Sequence, residues 1–436
     1  MRSAILYIFL GMCFGTSIFG QERTTLTLDD AIAIGIKNNF NILIAVNDIA
    51  IANANNTMGN AGMLPEVALN VGQSFNVNDS KLEFSDGSLR TGSSVNSNAT
   101  TANISAAWTL YNGKQMFVTK DKLETLAQIA NTSLKFQTEL LIYQIKTQYL
   151  RVLQQKDAIS ITEKNLALTN ERRKLLQLKQ SVGTGSGLAV LQAESDYNQD
   201  SLSLVNQTQS LEQLKIELNN LLSRNPITDF DVENIKINDD LATYEFLKSK
   251  MDAYNTSLSI YDLAKQIAEL DITFAKGSAL PTVNLNTGYN FARSQTELGV
   301  LKYSQNSGVN LGITGRWVIY DGNNIKRNTQ IAKLNAQNTA LEYQRQKQDL
   351  DNQLYAAYTS YTQATALEKI TASNVAIAEE TLKTSREMMR LGSITNIDLR
   401  QSELNLADAN YRKLNAKYQK LFALLHIEFL TGDYVK

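Results

Sequence analysis

Hydrophobic residues recur along this chain with two different periods, and the period changes twice. From Leu28 to Gly62 the apolar positions Ala31, Ile34, Ile42, Ala45, Ile49 and Ala52 fall at three- and four-residue steps, which predicts a helix over 28–62. Asp29 and Asp30 sit near its start, where carboxylates favour the helix dipole, and Gly62 and Pro65 stop it. From 65 to 77 the period falls to two. Val67, Leu69, Val71 and Phe75 face one way, and Ala68, Asn70, Gly72, Ser74 and Asn76 the other. Residues 78–97, rich in Ser, Asn, Asp and Gly, read as a loop, and a second strand follows over 101–111. The stretch 114–181 holds neither proline nor glycine, and Leu123, Leu126, Ala130, Leu134, Leu141, Ile145, Tyr149, Val152 and Ile159 keep a near-heptad spacing. It predicts one coiled helix about 100 Å long. Gly183-Thr184-Gly185-Ser186-Gly187 breaks it, Ser186 suits an N-cap, and a return helix is expected over 188–223.

The same order then repeats: helix 241–276, strands 281–292 and 308–320, long helix 325–390, return helix 397–430. Residues recur with it. Leu64-Pro65-Glu66-Val67 returns as Leu280-Pro281-Thr282-Val283, and Trp108 to Gly113 as Trp317 to Gly322. Val182-Gly183 returns as Leu391-Gly392, and Glu194 as Glu403. A unit of about 200 residues is far too long for a solenoid repeat, so each copy is expected to be half of a pseudo-symmetric architecture. The repeats are bounded at 21–225 and 241–436, with a linker over 226–240. Each shorter helix is about half the length of the long one. Two stacked end to end would match its height, as in a cylinder of antiparallel helices.

The strands are apolar on one face and small-polar on the other, as in outer-membrane barrels. Trp108, Tyr111, Trp317 and Tyr320 lie at their helix-proximal ends, where an aromatic girdle is expected. A soluble sandwich would use the same alternation, but strands isolated between such long helices argue against it. In lipid a sheet must close, and four strands cannot close alone. Two chains would give a filled eight-stranded barrel; three would give twelve strands and a wet channel. The polar face therefore favours a trimer or larger assembly.

Composition narrows the chemistry. Arg2 and the apolar run from Ala4 to Phe19 read as a signal peptide over 1–20, with an uncleaved anchor as the alternative. Cys13, the sole cysteine, lies inside that run, where lipid attachment is a further alternative. No cysteine remains after it for a disulfide, nucleophile or metal site. A net charge of −1 gives no reason to expect nucleic acid as a partner. His426, the sole histidine, reads as a solvated helix residue, which leaves no triad or histidine metal cluster. The glycines at 183–187 follow a helix rather than a strand, unlike a phosphate-binding loop. No enzymatic activity, cofactor or metal is expected.

The Leu-Pro-x-Val strand entries, the Trp-x-x-Tyr-x-Gly exits and the Val/Leu-Gly turns, each occurring twice in order, resemble the TolC-like outer membrane efflux protein family over essentially the whole chain after the signal. The resemblance implies an α+β membrane protein. Four strands per chain would enter a homotrimeric twelve-stranded outer-membrane β-barrel, and the helices a periplasmic α-barrel. It implies a passive exit duct for efflux or type I secretion, whose partners are a periplasmic adaptor, an inner-membrane transporter and outer-membrane lipid. By resemblance Val182, Gly183, Thr184, Leu391, Gly392 and Ser393 form the adaptor-docking tip. Asp398 and Gln401 stand where the family lines the periplasmic entrance, with Ala189 the uncharged counterpart of Asp398. A ring of Asp398 would attract cations; the plainer reading is that Asp398 favours the first turn of its helix. A structural coiled-coil envelope protein or adhesin, and a pore-forming toxin, are the competing readings. An unbroken coiled-coil stalk would lack internal hairpins.

Overall fold

A computed structural model describes residues 24–235, 241–432 and 434, so the signal segment and Cys13 lie outside the described residues. A short strand β1 (Thr24–Leu26) leads into α1 (Leu28–Asn38) and α2 (Phe40–Asn55). Then come β2 (Glu66–Glu83), β3 (Leu89–Asn112), α3 (Gln115–Ser181) and α4 (Gly187–Leu221). After β4 (Phe230–Val232) the same series returns as α5 (Tyr244–Tyr254), α6 (Thr256–Gly277), β5 (Thr282–Thr296), β6 (Tyr303–Arg316), α7 (Asn324–Arg390) and α8 (Asn396–Leu430). Both long helices have 67 residues and both return helices 35, so the long ones extend about 100 Å.

Neither helix expected over 28–62 or 241–276 is continuous. Asn39 and Asn255 leave helical geometry at ψ 126° and 117°. Each caps the helix that follows, Asn39 Oδ1 accepting from the Asn41 N–H and Asn255 Oδ1 from the Leu258 N–H, both at 2.9 Å. Each amide also donates to a return-helix end, Asn39 to Leu221 O at 3.0 Å and Asn255 to Leu430 O at 2.9 Å. An asparagine thus stops one helix, starts the next and satisfies a carbonyl that the end of a third leaves unpaired. Apolar periodicity continues through the joint, which is why it reads as one helix.

The strands are longer than expected towards the hairpin ends. Residues 78–97 are mostly strand: β2 and β3 pair up to Glu83↔Leu89, with a bulge between Asn78 and Ser80. Backbone pairing there needs no apolar side chains, and only the turn at Asp86-Gly87, with Gly87 at φ 81°, interrupts it. At the helix-proximal end β6 stops at Arg316 rather than 320. β5 begins at Thr282 opposite Arg316, and β6 is the edge of the sheet, so residues beyond have no strand to pair with. The sheet is antiparallel in the order β2-β3-β5-β6. Leu69, Ile104, Tyr289 and Val309 form one apolar row across it, and Asn70, Asn103 and Asn290 form a row on the other face. Asn103 donates to Asn290, which donates to Asn310 Oδ1 at 2.7 Å. The apolar face is bare: Val309 is 78% exposed.

Within the expected linker, β4 pairs in parallel with β1. Tyr149 on α3 is fully buried beneath them, and its hydroxyl lies 2.9 Å from the carbonyls of Leu26 and Glu233 while accepting from the Glu233 N–H at 2.9 Å. Ile145, Tyr149, Leu218, Phe230 and Tyr418 fill the core around this clasp, and a second core joins Leu247, Met251, Leu354 and Ile427. His426 is half-buried rather than solvated. Its ring lies 5.8 Å from that of Tyr143, and burial lowers its pKa. Among the described residues no helix is long and apolar enough to cross a membrane, and no group of His, Cys, Asp and Glu could hold a metal ion.

Candidate functional site at the helical tips

The two helix-turn-helix tips end together. Leu176, Ala193, Leu382, Met389 and Leu399 bring α3, α4, α7 and α8 into one small apolar core, and Lys179 Nζ donates to Met389 O at 3.0 Å. Both turns close the same way. Thr184 N–H bonds Lys179 O at 2.9 Å and Gly183 N–H bonds Gln180 O at 3.0 Å; Ser393 N–H bonds Met388 O at 2.9 Å and Gly392 N–H bonds Met389 O at 3.3 Å. These are Schellman turns, and their pivots, Gly183 and Gly392, have φ 78° and 76°. The closure leaves Val182 and Leu391 exposed as a pair of apolar knobs, with Thr184 and Ser393 beside them.

The helices after the turns begin differently. Thr395 and Asp398 form a capping box: Asp398 Oδ2 accepts from the Thr395 N–H at 2.9 Å and its hydroxyl at 2.6 Å, while Thr395 Oγ1 accepts from the Asp398 N–H. Ser186 occupies the matching position without a side-chain cap bond. Asp398 is exposed, and its Thr395 hydrogen bonds hold its pKa below the ordinary value of 3.8. A depressed carboxyl pKa stabilises fully above the unfolded value, and the stabilisation is lost as pH falls through the folded one. Protection factors of the Leu399 and Arg400 amides, corrected for the intrinsic pH dependence of exchange, are therefore expected to be level from neutral pH down to about 5 and to fall only in stronger acid. Protection lost already at mild acidity would contradict this. Gln401 lies one turn on, exposed and bonded to Asn405 at 2.8 Å.

Periodicity gave no sign of the buried ionic cluster above the tips. Arg172 on α3 is 2% exposed and uses three donors: Nε to Glu403 Oε2 at 3.0 Å, Nη1 to Asn396 Oδ1 at 2.7 Å and Nη2 to Asp196 Oδ2 at 2.7 Å. Arg400 on α8 holds Asp200 of α4 in a two-pronged pair at 2.9 and 3.0 Å, and Thr169 donates to the same carboxylate at 2.6 Å. Burial raises the pKa of Glu403, against the pull of Arg172 and Arg400. The cluster ties the first tip to the second and has no copy. Thr381, Asn405, Ala409 and Leu191 stand where the other repeat has Arg172, Asp196, Asp200 and Arg400. Glu194, the counterpart of Glu403, makes only a half-exposed pair with Arg173 at 3.2 Å. The usable signal is a charged residue at a seam position: Thr162, Thr169 and Leu176 mark the buried heptad step of α3, and Arg172 lies beside it.

The four aromatic positions lie at the far end of α3 and α7, around the strand-to-helix junctions. Trp108 Nε1 donates to Met63 O at 2.8 Å, and Trp317 Nε1 to Ala279 O at 3.1 Å, equivalent bonds in the two copies. Tyr111 is half-buried in β3, whereas Trp317 and Tyr320 lie beyond β6 and are exposed. Their indole bonds hold both tryptophans against the turns that enter β2 and β5, with no strand needed below Arg316.

Residues 34–224 and 252–433 match the family described as outer membrane efflux protein. The chain is 22% identical over 394 residues to outer membrane protein TolC of Vibrio cholerae, covering 86% of this chain and 84% of that one. It is 21% identical over 441 residues to the proteases secretion protein PrtF of Dickeya chrysanthemi, covering 95% and 90%. A solved structure of CusC superposes with a TM-score of 0.77 at 14% identity over 94% of this chain and 93% of that one, which speaks to the fold alone. The family match spans both repeats, with their strands, junctions and tips, and the chain therefore belongs to the outer membrane efflux protein family.

Proposed function

We propose that this outer-membrane protein is the exit duct of an efflux or secretion machine: a homotrimer whose strands close a twelve-stranded barrel and whose helices form a periplasmic tunnel. In this reading it conducts passively and catalyses nothing. The exposed turns at Val182, Gly183, Thr184, Leu391, Gly392 and Ser393 meet a periplasmic adaptor, which links the duct to an inner-membrane transporter. Asp398 and Gln401 stand at the tunnel entrance. Trp108, Tyr111, Trp317 and Tyr320 form the girdle at the inner face of the membrane. The two repeats, 21–225 and 241–436, each supply one hairpin and one set of helices.

One observation carries the reading. The sheet is apolar on one face and polar on the other, and its edges β2 and β6 have no strand partner among the described residues. Lipid does not tolerate such edges, so the same interface that joins β3 to β5 is expected to join β6 to β2 of the next copy. The helices support this. Among the described residues α6 lies between α3 and α7, but its counterpart α2 packs chiefly on α3 and leaves Leu43, Ile44 and Ile51 exposed. A neighbouring α7, with Ile331, Leu334 and Leu341 exposed, is the matching cover.

The internal register predicts the seam. Ile104 faces Tyr289 across β3 and β5, and the equivalent positions of the repeats are Ile313 and Gln73. Gln73→Cys with Ile313→Cys should form a disulfide between neighbouring copies, since directly opposed strand residues bring Cβ atoms about 4.5–5.5 Å apart. On non-reducing gels the boiled double variant is expected to run as a covalent trimer, and each single variant as a monomer. A double variant that stays monomeric although it reaches the outer membrane would defeat the proposed seam.

A further inference from the structure

Between its base and the bulge at Asn78, the polar face of the sheet is nearly free of charge. Ala68, Asn70, Gly72, Ser74 and Asn76 line it on β2, and Thr314, Gly312, Asn310, Gly308 and Asn306 on β6. Alternation places two ionisable side chains among them: Glu66, the first residue of β2, and Arg316, the last of β6. β3 and β5 add none to this face among the described residues. Glu66 and Arg316 are both exposed, and neither side chain makes a hydrogen bond or ion pair among the described residues. Their counterparts in the other repeat are Thr282 and Ala107, so each charge occurs once per chain. They lie on the two free edges of the sheet, which only closure of a barrel would bring together.

We propose that Glu66 and Arg316 form two stacked, oppositely charged collars at the base of the barrel lumen and set its discrimination among charged solutes. The proposal rests on the trimeric duct reading. Carrying the β3–β5 register to the seam puts Arg316 opposite Asn70 of the next copy, with that copy's Glu66 about 13 Å nearer the tunnel. A twelve-stranded barrel has a backbone radius of about 12 Å. An arginine reaching inward brings its charge within roughly one Debye length of the axis at physiological salt. The amide, hydroxyl and glycine wall above offers no competing charge, so the collars are where the barrel reads the charge of what passes. The Arg316 guanidinium, an unpaired planar fork, suits carboxylate and phosphate groups, and Glu66 suits ammonium groups. A solute carrying both kinds of charge meets a favourable partner at each level.

Opposed collars partly mask one another, which fixes the signs of the test. Purified full-length protein is incorporated into planar bilayers, and the reversal potential is read in a KCl gradient. Arg316→Gln is expected to raise the potassium-to-chloride permeability ratio about threefold by unmasking Glu66. Glu66→Gln is expected to lower it by a similar factor, and the double variant to lie between. Each variant is first run unboiled and boiled, so that only assembled, heat-modifiable protein is compared. Assembled, conducting variants that all keep the parent ratio would overturn the collars and leave the duct reading standing. A parent protein that neither assembles nor conducts would overturn both.

Discussion

Replacing Arg172 with methionine should loosen the tips more than any other single change on α3. Among the described residues the guanidinium alone reaches Glu403, Asn396 and Asp196 at once, at 2.7–3.0 Å, and it is 2% exposed. Removing one partner of a buried ion pair strands the other, at a cost of about 3–5 kcal/mol. Trypsin reports the loss, because Lys179 and Arg390 flank the two turns. Cleavage there should accelerate about a hundredfold or more if local opening is rapid and limits access. The effect carries a pH signature. Burial already raises the pKa of Glu403, and losing Arg172 raises it further. A raised carboxyl pKa penalises the folded state once the unfolded group ionises, so the penalty is absent in acid and grows as pH rises. The variant should be least stable at neutral pH and recover as Glu403 protonates. Adding Glu403→Leu should restore much of the loss, since it removes the buried carboxylate that Arg172→Met strands while Arg400 keeps Asp200. Unchanged cleavage in Arg172→Met would show that the cluster adds nothing to tip stability.

A second large effect is expected where strand turns into helix. Gly113 sits at φ 69°, and a Cβ there would stand 2.0 Å from the carbonyl oxygen of Gly277 and 2.9 Å from its carbon. Both obstacles are backbone, so no rotamer change relieves them. Gly113→Ala adds left-handed strain of about 1–2 kcal/mol to that overlap, and a total of about 3 kcal/mol or more is expected. Gly322, at φ 71°, is the equivalent residue, yet a Cβ there would find its nearest neighbour at 3.9 Å, the flexible amide of Asn324. Gly322→Ala should therefore bear the strain alone, about 1–2 kcal/mol. Thermal unfolding and the yield of folded protein compare the two. Equal losses would mean that the close approach between Gly113 and Gly277 has no weight, or that a neighbouring chain crowds Gly322 just as closely.

Much of the architecture was legible because long helices and alternating strands write their periods plainly. Leu141, Ile145, Tyr149 and Val152 recur down α3 as its buried side, and Val67, Leu69 and Val71 declare a strand with one apolar face. What escaped periodicity was set by hydrogen bonds. The joints at Asn39 and Asn255 depend on where two amides point, and flanking apolar residues carry no trace of it. The strand ends at 78–97 carry only Leu82, Phe84, Leu89 and Val95 among polar residues, too few to separate them from a loop, and what makes them strand is the backbone pairing itself. Trp317 and Ile319 kept the strand alternation past Arg316, but an edge without a partner ends where its neighbour begins. At the tips, Gly183 and Gly392 were readable as turns, and the capping role of Asp398 was one of two readings held open. The Arg172 cluster showed only as a charge beside the buried heptad step of α3, because a buried arginine looks like a solvated one until three carboxyl and amide groups from other helices are placed around it.

The upper part of the first hairpin reaches beyond its neighbours. β3 pairs with β5 only from Ser97 downward, yet with β2 it continues to Leu89, so a two-stranded ribbon of about 25 Å rises past the common rim. The loop of the second hairpin flanks it, with Leu298 beside Gly92 and Arg90 Nη1 donating to Gly299 O at 3.1 Å. The second hairpin has no such extension. If the strands cross the outer membrane as proposed, the ribbon is what the world outside the cell meets first. A macromolecule arriving from outside would meet Asp86 and Gly87 at its turn before it reached the pore. Variation in that ribbon could then follow the cell's encounters at its surface, leaving the wall that conducts the cargo unchanged.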